Sequence, residues 1–138
     1  MGGKQNNNNF FIDRWRSLGY AFKGCWMLIS KETAIQVHAF FGLIFIASGF
    51  LFEISTLEWM IQLLAIGLIL SVEGVNTTIE ELCDFIHESH HEKIGKIKDI
   101  SAGAVTFAAL GGYLVLCLLY INKILLYPIF KLGLYFDK

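Results

Sequence analysis

Three apolar blocks, none broken by proline, occupy most of this chain: about Ile35 to Phe52, Leu57 to Val72 and Ala102 to Ile121. Each approaches the ~20 residues that a helix needs to cross a hydrocarbon core of about 30 Å. Lipid offers backbone groups no hydrogen-bond partners, so helix is the structure such blocks allow. The composition agrees, since 138 residues that are 55% hydrophobic, with a mean hydropathy of +0.56, are too apolar for an ordinary soluble domain. Glu53-Ile54-Ser55-Thr56 closes the first block, and Ser55 or Thr56 is placed to cap the next helix. The second block continues in helical register, with polar residues, to about Ile86.

Upstream, Phe11, Trp15, Leu18, Phe22 and Trp26 recur at helical spacing among Arg14, Arg16 and Lys23. That pattern predicts an N-terminal amphipathic helix lying on the membrane surface. The expected fold is therefore an all-α membrane protein with three transmembrane helices plus that surface helix. Three helices make a thin bundle, so oligomerisation is expected, and Gly42, Gly67, Gly103, Gly111 and Gly112 are candidate positions of close helix contact. Residues 1–9 read as a disordered polar leader, 10–122 as the membrane domain and 123–138 as a C-terminal extension.

The 11 Lys and Arg form no basic stripe and the net charge is −1, which excludes nucleic acid as a partner. Their placement speaks to topology instead. Lys4, Arg14, Arg16, Lys23 and Lys31 precede the first span and Lys93, Lys96 and Lys98 follow the second, whereas the connection at 53–58 has none. The N-terminus and the 87–100 loop are thus predicted to be cytoplasmic. Cys25, Cys83 and Cys117 have neither disulfide nor metal spacing and are expected to be small buried residues.

The second block ends on Glu73-Gly74-Val75-Asn76-Thr77-Thr78-Ile79-Glu80. Ionisable groups so close to lipid are expensive, and a functional site is the default reading. At about 100° per residue, Glu73, Asn76, Glu80 and Asp84 share one stripe. Carboxylates facing a cavity at the water boundary suit Mg²⁺ shared with substrate phosphates, or a general base. The bland alternative is interhelical hydrogen bonding by Glu73 and Asn76, with the later acids solvated. Glu32, just before the first span, reads by itself as a dipole or capping partner. His87-Glu88-Ser89-His90-His91-Glu92 is closer to a solvated turn or a nucleotide contact than to a zinc site, because it lies in a short hydrophilic connection. Lys98-Asp99 is expected to open the third spanning helix, with Asp99 as cap and Lys98 as a point charge for phosphate.

Glu73-x-x-Asn76-Thr77-x-Ile79-Glu80-x-x-x-Asp84, then His91 and Lys98-Asp99-x-x-Ala102-Gly103-Ala104-Val105, resemble the prokaryotic diacylglycerol kinase family of small membrane lipid kinases, which includes the undecaprenol kinases. Tyr20-Ala21-Phe22-Lys23-Gly24, Glu32 and His38 extend the likeness over about residues 11–121. The resemblance implies phosphoryl transfer from Mg-ATP to a lipid hydroxyl, with Mg²⁺ as cofactor, in a homotrimer of the bacterial inner membrane whose active sites are shared between subunits on the cytoplasmic side. It assigns Glu73 as general base, Glu32 and Glu80 as metal ligands, and Tyr20, Glu32, Glu80, Ser89, His90, His91, Lys98 and Asp99 to ATP. Asn76 is implied to orient Glu73 or the substrate, and Asp84 to serve the metal shell or the fold. Asp13, followed by Arg14, stands where the family often has an arginine for the nucleotide, which leaves Arg14 as the candidate. Gly74 stands where an aliphatic residue is usual and is expected to loosen the helix, by up to about 1 kcal/mol relative to Ala. Diacylglycerol and undecaprenol both fit as the acceptor. A non-catalytic ion-binding or transport subunit and a purely structural oligomer are the alternatives. Transport predicts broken helices or repeats at the midplane, and neither is present in the sequence.

Overall fold

The structure, a computed structural model of the single chain, describes the backbone of residues 7–87, 89 and 91–136 and the side chains of residues 10, 12–87, 89, 91–121 and 123–125. It contains four helices, α1 (Asn7–Lys31), α2 (Thr33–Leu51), α3 (Thr56–Ile86) and α4 (Glu92–Phe136), and no strand among the described residues. α2, α3 and the Glu92–Leu125 part of α4 are each long and apolar enough to cross a membrane, which is the all-α, three-span architecture expected. Residues 1–6 of the polar leader lie outside the described residues, and Asn7 to Asn9 already belong to α1. α4 runs on past residue 122 without a break.

One residue separates α1 from α2. Glu32 leaves helical geometry at φ −93° and ψ 112°. Its N–H still donates to the Leu28 carbonyl at 3.1 Å and its own carbonyl accepts from Gln36 N–H at 3.0 Å. The Gln36 side chain donates to the Ile29 carbonyl at 3.1 Å, so the corner is stitched on both sides.

The α2–α3 turn is closed by a helix C-cap in which Glu53, at φ 48°, takes the left-handed position usually given to glycine. Ile54 N–H donates to the Gly49 carbonyl at 3.1 Å and Glu53 N–H to the Phe50 carbonyl at 3.4 Å, which satisfies carbonyls at the end of α2. Ile54 is buried, and this hydrophobic contact helps offset the roughly 1–2 kcal/mol that a non-glycine residue loses in that conformation. α3 then opens on a capping box. Ser55 Oγ accepts from Glu58 N–H at 3.4 Å while the Glu58 carboxylate accepts from Ser55 N–H at 2.7 Å.

α3 packs against both α2 and α4. Its buried positions Gln62, Ala65, Ile69, Glu73, Asn76 and Cys83 recur at helical spacing and form one inward stripe. α4 comes close to α3 at Gly112, where an added Cβ would meet Ile69 Cδ1 at 2.7 Å. Gly42 has a similar neighbour, Ile66 at 3.1 Å, whereas an added Cβ at Gly67, Gly103 or Gly111 would meet no described residue within 4 Å beyond its own stretch of helix. Two polar links tie α2 to α4. His38 Nδ1 lies 2.8 Å from Tyr113 Oη, and Tyr120 Oη donates to the Phe45 carbonyl at 3.0 Å and lies 2.6 Å from Gln62 Oε1. Phe40, Leu43, Leu64, Leu68, Phe107 and Leu114 are exposed on the outward faces, as suits helices whose solvent is hydrocarbon. Of the cysteines only Cys83 is buried. Cys25 and Cys117 are exposed on the single chain, which corrects the expectation for those two.

Candidate active site

Helical geometry places Glu73, Asn76, Glu80 and Asp84 on one face of α3, and the packing of α2 and α4 divides that face by depth. Glu73 and Asn76 are 6% and 7% exposed, whereas Glu80 and Asp84 are exposed near the end of the helix. A carboxylate thus lies inside the bundle and another two turns farther along, in the open. No hydrogen bond reaches the Glu73 carboxylate from any described residue. Its oxygens remain available to a substrate.

Asn76 does not spend its amide on Glu73. Its Nδ2 donates to Glu80 Oε1 at 2.9 Å, which orients that carboxylate and leaves its second oxygen for another ligand. The Asn76 Oδ1 is buried without a hydrogen-bond partner among the described residues. A buried unpaired acceptor costs about 1–3 kcal/mol, a penalty that an incoming donor removes.

Gly74 has a specific structural use. An added Cβ there would meet Leu28 Cδ1 of α1 at 3.1 Å, so the glycine forms the seat on which α1 rests against α3. Leu28 precedes Glu32 by one turn and its carbonyl accepts the Glu32 N–H, so this contact brings the α1–α2 corner to the level of Glu73. The expected loosening does not interrupt the helix, which is continuous from Thr56 to Ile86. Thr78 Oγ1 donates back to the Gly74 carbonyl at 2.9 Å and supports the same turn.

Glu32 occupies the N-cap position of α2, yet its side chain makes no capping hydrogen bond. Its half-buried carboxylate is therefore not consumed by the role that spacing favoured for it. Lys98 of α4 reaches Asp84 of α3, with Nζ 2.5 Å from Oδ1. Asp99 is exposed beside it and lies two turns inside α4, so it caps nothing. The cap of α4 falls to His91, whose Nδ1 accepts the Lys93 N–H at 3.2 Å. Ser89 is exposed with Oγ 3.4 Å from His87 Nε2, and the His87 and His91 rings stand 5.3 Å apart. His90 lies outside the described residues. Tyr20 is 75% exposed on α1, and the Arg14 guanidinium lies 5.2 Å from the Phe10 ring centroid. Neither makes a hydrogen bond to the acid face.

Among the described residues no three acidic, histidine or cysteine side chains converge closely enough to enclose a metal ion. Mg²⁺ does not require such a cage, because it is commonly held by one or two carboxylates plus phosphate oxygens. An all-oxygen donor set with one Glu80 oxygen fixed by Asn76 fits that pattern.

The comparisons with known proteins bear on what the face is for. The family model described as prokaryotic diacylglycerol kinase matches residues 19–120, which includes Tyr20, Glu32, the α3 stripe and Lys98-Asp99. The chain belongs to the prokaryotic diacylglycerol kinase family. Among its relatives, an undecaprenol kinase of Bacillus subtilis is 36% identical over 117 residues, or 85% of this chain and 92% of that protein. A diacylglycerol kinase of Synechocystis sp. is 30% identical over 100 residues, or 72% of this chain and 57% of that protein. These findings make the chain a member of a family of prokaryotic lipid kinases, and its three long apolar helices make it a membrane protein.

Spacing does not pair Asp84 with Lys98, Glu58 with Lys123, His38 with Tyr113 or Gln62 with Tyr120, all of which meet across helices. A polar residue inside an apolar block signals each of the last two in the sequence, but not its partner, which comes from another helix.

Proposed function

We propose that this protein transfers the γ-phosphate of Mg-ATP to the hydroxyl of a membrane lipid, diacylglycerol or undecaprenol. The observation that carries the reading is the depth gradient on α3, where buried Glu73 and exposed Glu80 share one helix face. A lipid hydroxyl comes from the bilayer and ATP from water, and a face crossing that boundary meets both.

In this reading Glu73 accepts the proton of the lipid hydroxyl as its oxygen bonds to the γ-phosphorus. The bond to the β–γ bridging oxygen breaks and ADP leaves. Glu32 and Glu80 would hold Mg²⁺, which would offset negative charge on the nucleotide's phosphates. Lys98 and Asp99 contact the nucleotide, together with Tyr20, Ser89, His90 and His91, and Arg14 serves from α1. Asn76 holds Glu80 with Nδ2, and its unpaired Oδ1 is left to accept a hydrogen bond from a substrate. Asp84 supports the site from the end of α3.

The same reading makes residues 10–122 the lipid-kinase domain, with α1 as an amphipathic surface helix and 123–138 as an extension. It makes the assembly a homotrimer in the bacterial inner membrane, with the N-terminus and the site on the cytoplasmic side. The positive residues before α2 and after α3 support that orientation.

The test is purified full-length protein in mixed micelles with labelled Mg-ATP and diacylglycerol, undecaprenol or no lipid. Label in one or both lipids is expected. Label in neither sinks the proposal, and the preferred lipid identifies the acceptor.

A further inference from the structure

We infer that Asp84 is a positioning residue for Lys98, holding its ammonium at the nucleotide end of the α3 face. The inference rests on the lipid-kinase reading and goes beyond it by giving Asp84 one task in place of two open ones.

The geometry is specific. Lys98 Nζ lies 2.5 Å from Asp84 Oδ1, and the pair joins α3 to α4 across the short turn between them. The lysine side chain is 33% exposed and the aspartate 65%, so the stem lies partly against the bundle while the head meets an acid at its rim. An ion pair this open contributes little to stability, because solvent screens it. Its consequence is conformational. A lysine has a long, rotamer-rich stem, and the carboxylate selects one direction for it. An ammonium has three donors, of which Asp84 uses one, so two remain for phosphate oxygens.

The direction selected matters because of the neighbour one turn back. Glu80 is on the same face of α3 as Asp84, and one of its oxygens is already occupied by the Asn76 amide. Without Asp84, Glu80 is the nearest carboxylate on that face of α3 for the freed ammonium. Lys98 would then compete with the cation for the remaining Glu80 oxygen. Asp84 therefore keeps Lys98 and Glu80 apart in their tasks, one on phosphate and the other on metal.

The experiment uses the full-length protein in mixed micelles, with D84N and D84E beside wild type. Mg-ATP binding is measured by equilibrium titration, kcat and KM for ATP and lipid by label transfer, and stability by unfolding in denaturing detergent. D84N should weaken Mg-ATP binding and raise the ATP KM by roughly three- to tenfold, the loss when a ligand must immobilise one rotamer-rich side chain itself. The lipid KM and the unfolding midpoint should stay near wild type, the Mg²⁺ requirement should rise, and D84E should recover most of the ATP effect. A D84N protein with unchanged ATP binding overturns the inference. So does a loss spread equally over the lipid KM and the unfolding midpoint, which would make Asp84 a structural residue. Wild-type protein that binds Mg-ATP but labels no lipid would defeat the lipid-kinase reading while the D84N binding comparison still decides the role of Asp84. Wild-type protein that does not bind Mg-ATP would defeat both.

Discussion

Gly111 and Gly112 are neighbours on α4, and changing each to alanine should move stability in opposite directions. An added Cβ at Gly112 would lie 2.7 Å from Ile69 Cδ1 and 2.9 Å from Ile69 Cγ1. Carbon atoms in contact prefer at least about 3.5 Å, so the 2.7 Å approach is about 0.8 Å too close. Ile69 is 3% exposed and held within the α3 stripe, so either its rotamer or the α3–α4 spacing has to give. Overpacking of this kind costs about 1–3 kcal/mol. Alanine returns up to about 1 kcal/mol of helix propensity. G112A should therefore be destabilised by about 0–3 kcal/mol. An added Cβ at Gly111 would meet no described residue within 4 Å beyond its own stretch of helix, so G111A should keep the propensity gain, up to about 1 kcal/mol. Unfolding of both variants in mixed micelles with increasing denaturing detergent, followed by far-UV circular dichroism, measures the difference. Equal midpoints, or G112A above G111A, would refute the close approach of α3 and α4 at this point. G111A falling below wild type would place Gly111 against another subunit.

E73Q conserves shape, and no described residue donates a hydrogen bond to the Glu73 carboxylate, so folding and Mg-ATP binding should persist. Its kcat should fall by about 10²–10⁴, the usual contribution of a general base, and retained turnover in the transfer assay would remove Glu73 from that role. E80Q should raise the Mg²⁺ concentration needed for half-maximal rate, with a smaller effect on the lipid KM; an unchanged Mg²⁺ titration would count against a metal role. Y120F removes the hydroxyl between Phe45 and Gln62 and leaves the fully buried Gln62 without its contact, so it should cost about 1–3 kcal/mol in detergent unfolding. Q62L should cost less than Y120F, because it also removes the Gln62 Nε2 that has no partner among the described residues. The reverse order would contradict that arrangement.

Much of this protein is legible one residue at a time. Hydropathy locates the three spans because a helix in lipid satisfies its backbone within the segment, so nothing distant has to be known. The helical repeat likewise places Glu73, Asn76, Glu80 and Asp84 on one face, since their spacing and the helix geometry are both local. Ser55 was readable as a cap for the same reason, and the capping box with Glu58 spans only three residues.

What spacing could not supply are relations between helices. It indicated an acid stripe but not that Glu73 is buried and Glu80 exposed, because depth is set by the packing of α2 and α4 around α3. It favours capping roles for Glu32 and Asp99, whereas the Glu32 side chain makes no cap contact and α4 begins at Glu92. Helix propensity marks Gly74 as a weak point, whereas packing makes it a seat for Leu28. Spacing places Asp84 and Lys98 on separate elements, and an ion pair between α3 and α4 joins them. Secondary structure here follows from short-range sterics and the lipid's demand on the backbone. The division of labour among the acids follows from contacts between residues far apart in the chain, which no local pattern encodes.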